Sequence, residues 1–248
     1  MSAGRFVIAG HTLTPGASVR LPDDVAHQVR DVLRLGVGDA VHILDGAGAV
    51  YSADVVRTDR KQVVVHLDAL VWTEPEPACR VVLCQGVIRA ARYETVLQKC
   101  TELGVSAFRP VVTSRSVARD EAGEEKFRRW QHIVSEATEQ CGAARMPELH
   151  MPCALEQALA ARPEGSLALI PWELERQVTI RDAMGRHPSP PAEVGLCIGS
   201  EGGFSRQEVQ IAESAGAIPV TLGTRILRAE TAAIVSTALV LAEVQRNG

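Results

Sequence analysis

Nothing in this 248-residue chain has the length of a membrane-crossing helix: every apolar run falls well short of the roughly 20 residues such a helix needs. The opening segment, MSAGRFVIAG, carries one arginine and a very short apolar patch, without the apolar core and cleavage pattern of a secretory leader. The expectation is a soluble, cytoplasmic protein. The cysteines Cys79, Cys84, Cys100, Cys141, Cys153 and Cys197 include no C-x-x-C pair, and the histidines are scattered. Zinc-type spacing is therefore excluded, no metal is expected, and the thiols read as small buried hydrophobes in a reducing compartment. A surplus of positive charge is missing too. The formal net charge is −4, so a nucleic acid would have to be gripped by a local patch rather than by the whole surface. Phosphate-binding glycine motifs are absent as well. The spacing Gly199, Gly202, Gly203 does not give G-x-G-x-x-G, and no Lys-Ser/Thr pair follows it. A nucleotide-binding metabolic enzyme is disfavoured on that ground. There are no internal repeats and no low-complexity segment.

What is present is enough apolar residue, 46% of the chain, for a sizeable core. Thr73-Glu74-Pro75-Glu76-Pro77 alternates proline and reads as an extended spacer. Taken as 73–78, it separates a domain over 1–72 from one over 79–248. The first domain reads as short strands over 5–8, 19–21, 40–44, 51–56 and 62–67, with Asp45-Gly46 as a hairpin signal. Short strands so close together suggest a small barrel. Pro22 and Asp23 open one helix there, expected to run to about Leu35 and stop at Gly36. Arg30 and Arg34, four residues apart, would share a face of it, with His27 nearby. That face is either solvated or a contact for RNA phosphates. Beyond the spacer, strands over 81–85, 108–112, 167–170, 194–198 and 218–222 alternate with helices. Such alternation implies an α/β domain, a parallel sheet with helices on both faces.

The stretch 194–233, VGLCIGSEGGFSRQEVQIAESAGAIPVTLGTRILRAETAA, holds the strongest local signals. Two consecutive strands each end in a glycine-bearing loop before a helix. Ser205 and Glu208 fit a capping box, and Gly216 suits a left-handed stop. Ligands of open α/β sheets sit at the carboxyl ends of strands, so the chemistry is expected here. The glycine cluster alone reads equally well as a tight turn.

The combination is more specific. IGSEGGFS followed by LGTRILRAETAA resembles the carboxyl-terminal signature of the RsmE family, ribosomal-RNA methyltransferases of the SPOUT (α/β-knot) class. QKCTELGV (98–105), WQHIVSEATEQCGAARMP (130–147) and HQVRDVLR (27–34) resemble further family segments, so the match spans nearly the whole chain. Ser200 stands where the family usually has Pro, Ala229 where Thr is usual, and Ala143 where an Arg often falls. The resemblance implies a PUA-like RNA-binding barrel followed by a SPOUT domain with a trefoil knot. It implies a homodimer acting on small-subunit (16S) ribosomal RNA, within an assembled subunit, and S-adenosyl-L-methionine as cofactor.

By the same resemblance the cofactor pocket maps to Ile170 and Pro171; to Ile198, Gly199, Glu201, Gly202 and Gly203; and to Leu222, Gly223, Ile226, Leu227 and Arg228. Methyl transfer to N3 of a uridine needs a base for the N3 proton or cations that stabilise the anion. Arg228, Glu201 and Glu230 are the catalytic candidates. Glu230 is also explained by the dipole of the helix it begins, and each glutamate by an ion pair with Arg228. His27, Arg30, Arg34, Arg89 and Arg92 are the RNA-binding candidates; Arg89 and Arg92 read equally as ordinary loop arginines. Alternatives are another SPOUT enzyme acting on transfer RNA and a non-catalytic RNA-binding ribosome-assembly factor. The intact glycine loops argue against the latter.

Overall fold

A computed structural model describes residues 4–116 and 123–247. The chain divides into two compact units.

The first unit contains β1 (Gly4–Val7), β2 (Ser18–Arg20), α1 (Asp23–His27), β3 (Ala40–Leu44), β4 (Ala49–Thr58) and β5 (Val63–Thr73). They form a five-stranded sheet in the order β1-β3-β4-β5-β2, antiparallel except for the parallel β1–β3 pair. Asp45 explains the β3–β4 turn: its Oδ1 accepts from the backbone N–H groups of Ala47 and Ala49. Alternate residues of β3 to β5, among them Ile43, Ala53, Val55, Val63, Val65 and Leu67, meet Phe6, Val25 and Val29 in one core. Register shifts along β4–β5 let the ribbon bend around it. No ladder joins β1 to β2 among the described residues, so the barrel is completed by side chains of both edge strands, Phe6 and Val19, rather than by backbone.

The helix of this unit departs from expectation. It is α-helical only to His27, continues as a π-turn over Gln28–Val32, and ends at Arg34, whose φ is 57°. Leu33 N–H reaches back to Gln28 O, five residues earlier. Arg34, not Gly36, takes the left-handed stop. The one-face argument for Arg30 and Arg34 therefore fails, because the wider turn intervenes and Arg34 lies outside the helix.

This unit also takes in Ser135–Met146, far along the chain. Glu139 Oε1 accepts from Val7 N–H at 2.8 Å, and Arg5 donates to the carbonyls of Gly142 and Ala143. Glu74 Oε2 accepts from Arg145 N–H, and Ala144 and Met146 pack with Val7, Leu44 and Val50. The ATEQCGAARM segment is thus structural in its own right.

The second unit holds β6 (Arg80–Gly86), α2 (Ala90–Leu103), β7 (Ala107–Val112), the first part of α3 (Glu124–Cys141), β8 (Glu148–Leu149), β9 (Cys153–Ala154), α4 (Leu155–Ala160), β10 (Leu167–Pro171), α5 (Ile180–Gly185), β11 (Glu193–Ile198), α6 (Arg206–Ser214), β12 (Ala217–Val220) and α7 (Ala229–Asn247). The sheet runs β12-β10-β11-β6-β7-β8, with β9 beside β7, and every pairing is parallel. Its central strand, β11, is buried at every position, as a strand covered on both faces must be. Gly104 ends α2 in a left-handed conformation with φ 103°, and Ser205 and Glu208 form the expected capping box at α6. On α2 and α3, Tyr93 stacks on Trp130 with ring centres 4.4 Å apart. α7 packs against α2, α5, β6 and β11. No helix among the described residues is long and apolar enough to cross a membrane.

Candidate active site

β6 and β11 lie in register, Cys84 opposite Cys197 and Gln85 opposite Ile198, so their carboxyl ends finish side by side. The chain after β11 turns tightly: Gly203 N–H donates to Ser200 O at 2.9 Å, and Gly203 has φ 65°. Two residues that sequence reasoning did not single out support this turn. Gln85, fully buried, donates its side-chain amide to Gly86 O and Gly199 O. A Cβ on Gly86 would lie 2.6 Å from Ser200 N and 2.7 Å from Gly199 C. Only glycine lets the two backbones approach so closely.

A cavity of about 260 Å³ opens over this turn. Pro171, Ile198, Gly199, Glu201, Gly202, Gly203, Leu222, Gly223, Ile226, Leu227 and Arg228 all line it. The ends of β10, β11 and β12 thus converge, although these residues come from three separate stretches of sequence. Ile170 does not line it: it is fully buried and belongs to the apolar core under the sheet. Strand alternation explains this, since its neighbour Pro171 emerges where Ile170 turns inward. Ile226 is the opposite case. The residue is 82% exposed, so core packing does not account for it, and an apolar ligand face would.

Among the catalytic candidates, Glu201 has one oxygen fixed and one free. Its Oε1 accepts from Arg89 N–H at 3.0 Å, at the start of α2, while its Oε2 is buried without a hydrogen-bond partner. A carboxylate at a helix N-terminus is electrostatically favoured, which accounts for the fixed oxygen only. Arg228 lines the cavity and is exposed. Glu230 does not line the cavity. Its Oε1 lies 3.7 Å from Nε of Arg92, which does, and its Oε2 is buried and unpartnered. Neither glutamate is paired with Arg228. These two buried carboxylate oxygens, without a protein partner, are the ones a bound donor could satisfy.

The RNA-binding candidates fall in both units. In the first, Asp31 holds His27 Nδ1 at 2.6 Å and Arg30 by two bonds. The Arg30 bond, then the His27 bond, keep its carboxyl at about pKa 2. Arg30 also donates to Asp59 O. His27 and Arg30 are therefore already engaged. In the second unit, Arg89 contributes its backbone to Glu201, and Arg92 its side chain to the cavity wall.

The cavity also contains residues that sequence reasoning missed. Trp172, Glu173 and Arg176 follow Pro171, and Arg225 precedes Ile226. Arg225 sits inside the quoted LGTRILRAETAA segment and was legible there. Glu173 and Arg176 carry no local signal, because only the sheet order brings the loop after β10 beside Gly203, 3.6 Å from a Cβ position there. Among the described residues no group of three or more His, Cys, Asp or Glu could hold a metal ion.

Comparison with known proteins adds family evidence. A family model described as an RNA methyltransferase domain matches residues 74–241, and one described as an RNA methyltransferase PUA domain matches 21–68. The chain is 33% identical to the ribosomal RNA small subunit methyltransferase E of Synechocystis sp. over 238 residues, 95% of this chain and 76% of that one. It is similar in structure to the enzyme of that name from Neisseria gonorrhoeae bound to S-adenosyl methionine, with TM-score 0.87, 30% identity, and 97% and 98% of the two chains covered. A Legionella pneumophila methyltransferase in complex with the same cofactor gives TM-score 0.88 and 32% identity, with 98% of each chain covered.

Proposed function

Because the chain belongs to the ribosomal RNA small subunit methyltransferase E family, with a PUA domain ahead of an RNA methyltransferase domain, we propose that it transfers a methyl group from S-adenosyl-L-methionine to N3 of a uridine in small-subunit (16S) ribosomal RNA. The observation that carries this reading is the single cavity in which the ends of β10, β11 and β12 meet.

The residues present suit that cofactor. Pro171, Leu222, Ile226 and Leu227 offer apolar walls for an adenine, with a few fixed polar groups among them, as ligand pockets generally do. The unpartnered Oε2 of Glu201 can accept from a ribose hydroxyl or the ammonium of the methionine part. When bound, the cofactor supplies a methyl group already activated by its sulfonium. The protein then has to orient the uridine for in-line approach and dispose of the N3 proton. Arg228 is the cation that stabilises negative charge on the uracil oxygens. Glu201 is the first candidate to accept the proton and Glu230 the second, since Glu230 stands behind Arg92. N3 lies on the Watson–Crick edge, so the uridine must be unpaired or extruded.

In this reading Arg92, Arg176 and Arg225 around the cavity grip the RNA backbone near the target, Arg89 extends that contact, and Arg34 on the first unit is a separate backbone contact. Arg30 and His27 contribute only after exchanging Asp31 for phosphate. The cytoplasmic location, the assembled subunit as substrate, the trefoil knot and a homodimer through α7 belong to the same proposal. The return of α7 from β12 to β6 and α2 supports the knot. The half-exposed Ile234 and Val235 and the exposed Leu239 support the dimer.

The test is methyl transfer from labelled cofactor to small-subunit particles purified from cells lacking this gene, with the modified nucleoside identified by mass spectrometry. N3-methyluridine formed by wild type and lost in Arg228→Ala is expected. Methylation elsewhere, or of transfer RNA only, refutes the substrate; cofactor binding without any transfer favours the assembly-factor alternative.

A further inference from the structure

The turn that follows β7, Thr113 to Ser116, lies against the glycine loop after β11. Thr113 Oγ1 donates to Ser200 Oγ at 3.2 Å, and both residues are buried. Thr113 N–H donates to Ser116 Oγ at 3.1 Å, which closes the turn on itself. Ser114 N–H donates to Glu208 Oε1 at 2.7 Å, tying the turn to the first turn of α6. Arg115, between these anchors, donates through Nη1 to Gly202 O at 2.9 Å and to Phe204 O at 3.3 Å. Its Cβ sits where a side chain on Gly202 would go: a Cβ there would be 2.9 Å away. Arg115 does not line the cavity, whereas Gly202 and Phe204 do.

We propose that Arg115 is a positioning residue for cofactor binding. It holds two carbonyls of the glycine loop turned away from the cavity, and so keeps the loop's N–H groups and the Glu201 carboxylate in place. The physical case is one of preorganisation. Residues 199–203 contain three glycines and little side-chain packing of their own, so the loop loses much conformational entropy on ordering unless something external fixes it. Arginine suits the task because one planar, permanently charged group can serve two carbonyls at once. The turn after β7 thereby becomes a fourth element of the site, although it touches no ligand. This inference rests on the reading of the cavity as the S-adenosylmethionine site.

The experiment is calorimetric titration of S-adenosylmethionine into the full-length protein, wild type beside Arg115→Ala, Arg115→Lys and Thr113→Val, with the melting temperature of each variant measured without cofactor. Steady-state KM and kcat on small-subunit particles accompany it. Arg115→Ala is expected to raise Kd and KM for the cofactor about tenfold, the scale of one charge-assisted hydrogen bond. Its kcat at saturating cofactor should change far less, and its melting temperature should stay near that of wild type. Arg115→Lys should recover most of the affinity, since an ammonium can also donate to both carbonyls. Thr113→Val should weaken binding in the same direction, through Ser200. Wild-type affinity in Arg115→Ala overturns the proposal. So does a loss confined to kcat, since that would point to a direct role of the guanidinium on the RNA. A folded wild type that binds no S-adenosylmethionine refutes the cavity assignment itself, and this inference falls with it.

Discussion

Replacing Gly86 by alanine tests the site where the geometry is tightest. The new Cβ would stand 2.6 Å from Ser200 N and 2.7 Å from Gly199 C, both backbone atoms that no rotamer change can move aside. Ordinary contact begins at 3.4 Å, so the glycine loop must retreat from β6 by close to 0.8 Å (3.4 − 2.6). The Gln85 amide bond to Gly199 O, already 3.3 Å long, would then break. Overpacking of this kind costs about 1–3 kcal/mol, and the broken bond about 1 kcal/mol more. Part of the strain is released in the unbound protein by moving the loop. Recovering the binding geometry restores it, so cofactor affinity should fall by about tenfold or more. The melting temperature should drop by roughly 2–4 °C for each kcal/mol left in the unbound state. Calorimetry and differential scanning fluorimetry measure the two effects. Gly185→Ala is the control, since nothing lies within 4 Å of its Cβ position and its φ is not left-handed. A Gly86→Ala protein that binds S-adenosylmethionine like wild type and melts with it would refute the claim that this close approach holds the loop.

Three further outcomes follow from the same geometry. Removing Arg176 and Arg225 together should weaken RNA binding more than cofactor affinity, since both line the cavity rim. It should also flatten the plot of log affinity against log salt, by about 0.7 for each single-strand phosphate no longer neutralised; an unchanged slope would show that the two arginines do not touch phosphates. Burial raises the Glu208 carboxyl, but the N–H groups of Ser114 and Ser205 and the Ser205 hydroxyl outweigh it, and the net shift is downward. Its stabilisation is therefore complete above the ordinary glutamate value, roughly 4.3, and disappears as pH falls through the lower folded value. The melting-temperature gap between wild type and Glu208→Gln should be wide at pH 7 and close in acid; a pH-independent gap would contradict this. Native thiol labelling should be fastest at Cys141, the exposed cysteine, and slower at the partly covered Cys153. Burial pushes the Cys100 thiol up to about 12, so it should react only on unfolding, which peptide mapping by mass spectrometry would check.

Much of the architecture is legible in residue order because its signals are local. The capping box at Ser205 and Glu208, the left-handed stop at Gly104 and the Asp45-Gly46 turn depend on neighbours within four residues. The unbroken apolar run of β11 announces a strand covered on both faces. The glycine loops after β11 and β12 stand out for the same reason, and the family resemblance carried by those two short segments identified most of the cavity lining.

What residue order could not decide is whatever depends on contacts between distant segments. The π-turn after His27 moved the helix stop from Gly36 to Arg34, because the path of the backbone rather than glycine's tolerance chose the left-handed residue. Ser135–Met146 sits with the first unit because Arg5 and Glu74 meet its backbone and Val7 N–H meets the Glu139 carboxylate, a match of partners more than sixty residues apart. Gly86, Glu173 and Arg115 look like ordinary loop residues until the parallel register of β6 on β11, the loop after β10 and the turn after β7 bring them against Gly199–Phe204. The sequence by itself determined most of the elements, their order, the family and the glycine loops that meet at the cavity. Tertiary structure alone decided which residues hold those loops still, because backbone-to-backbone approach is set by strand register and packing, and neither leaves a pattern in nearby residues.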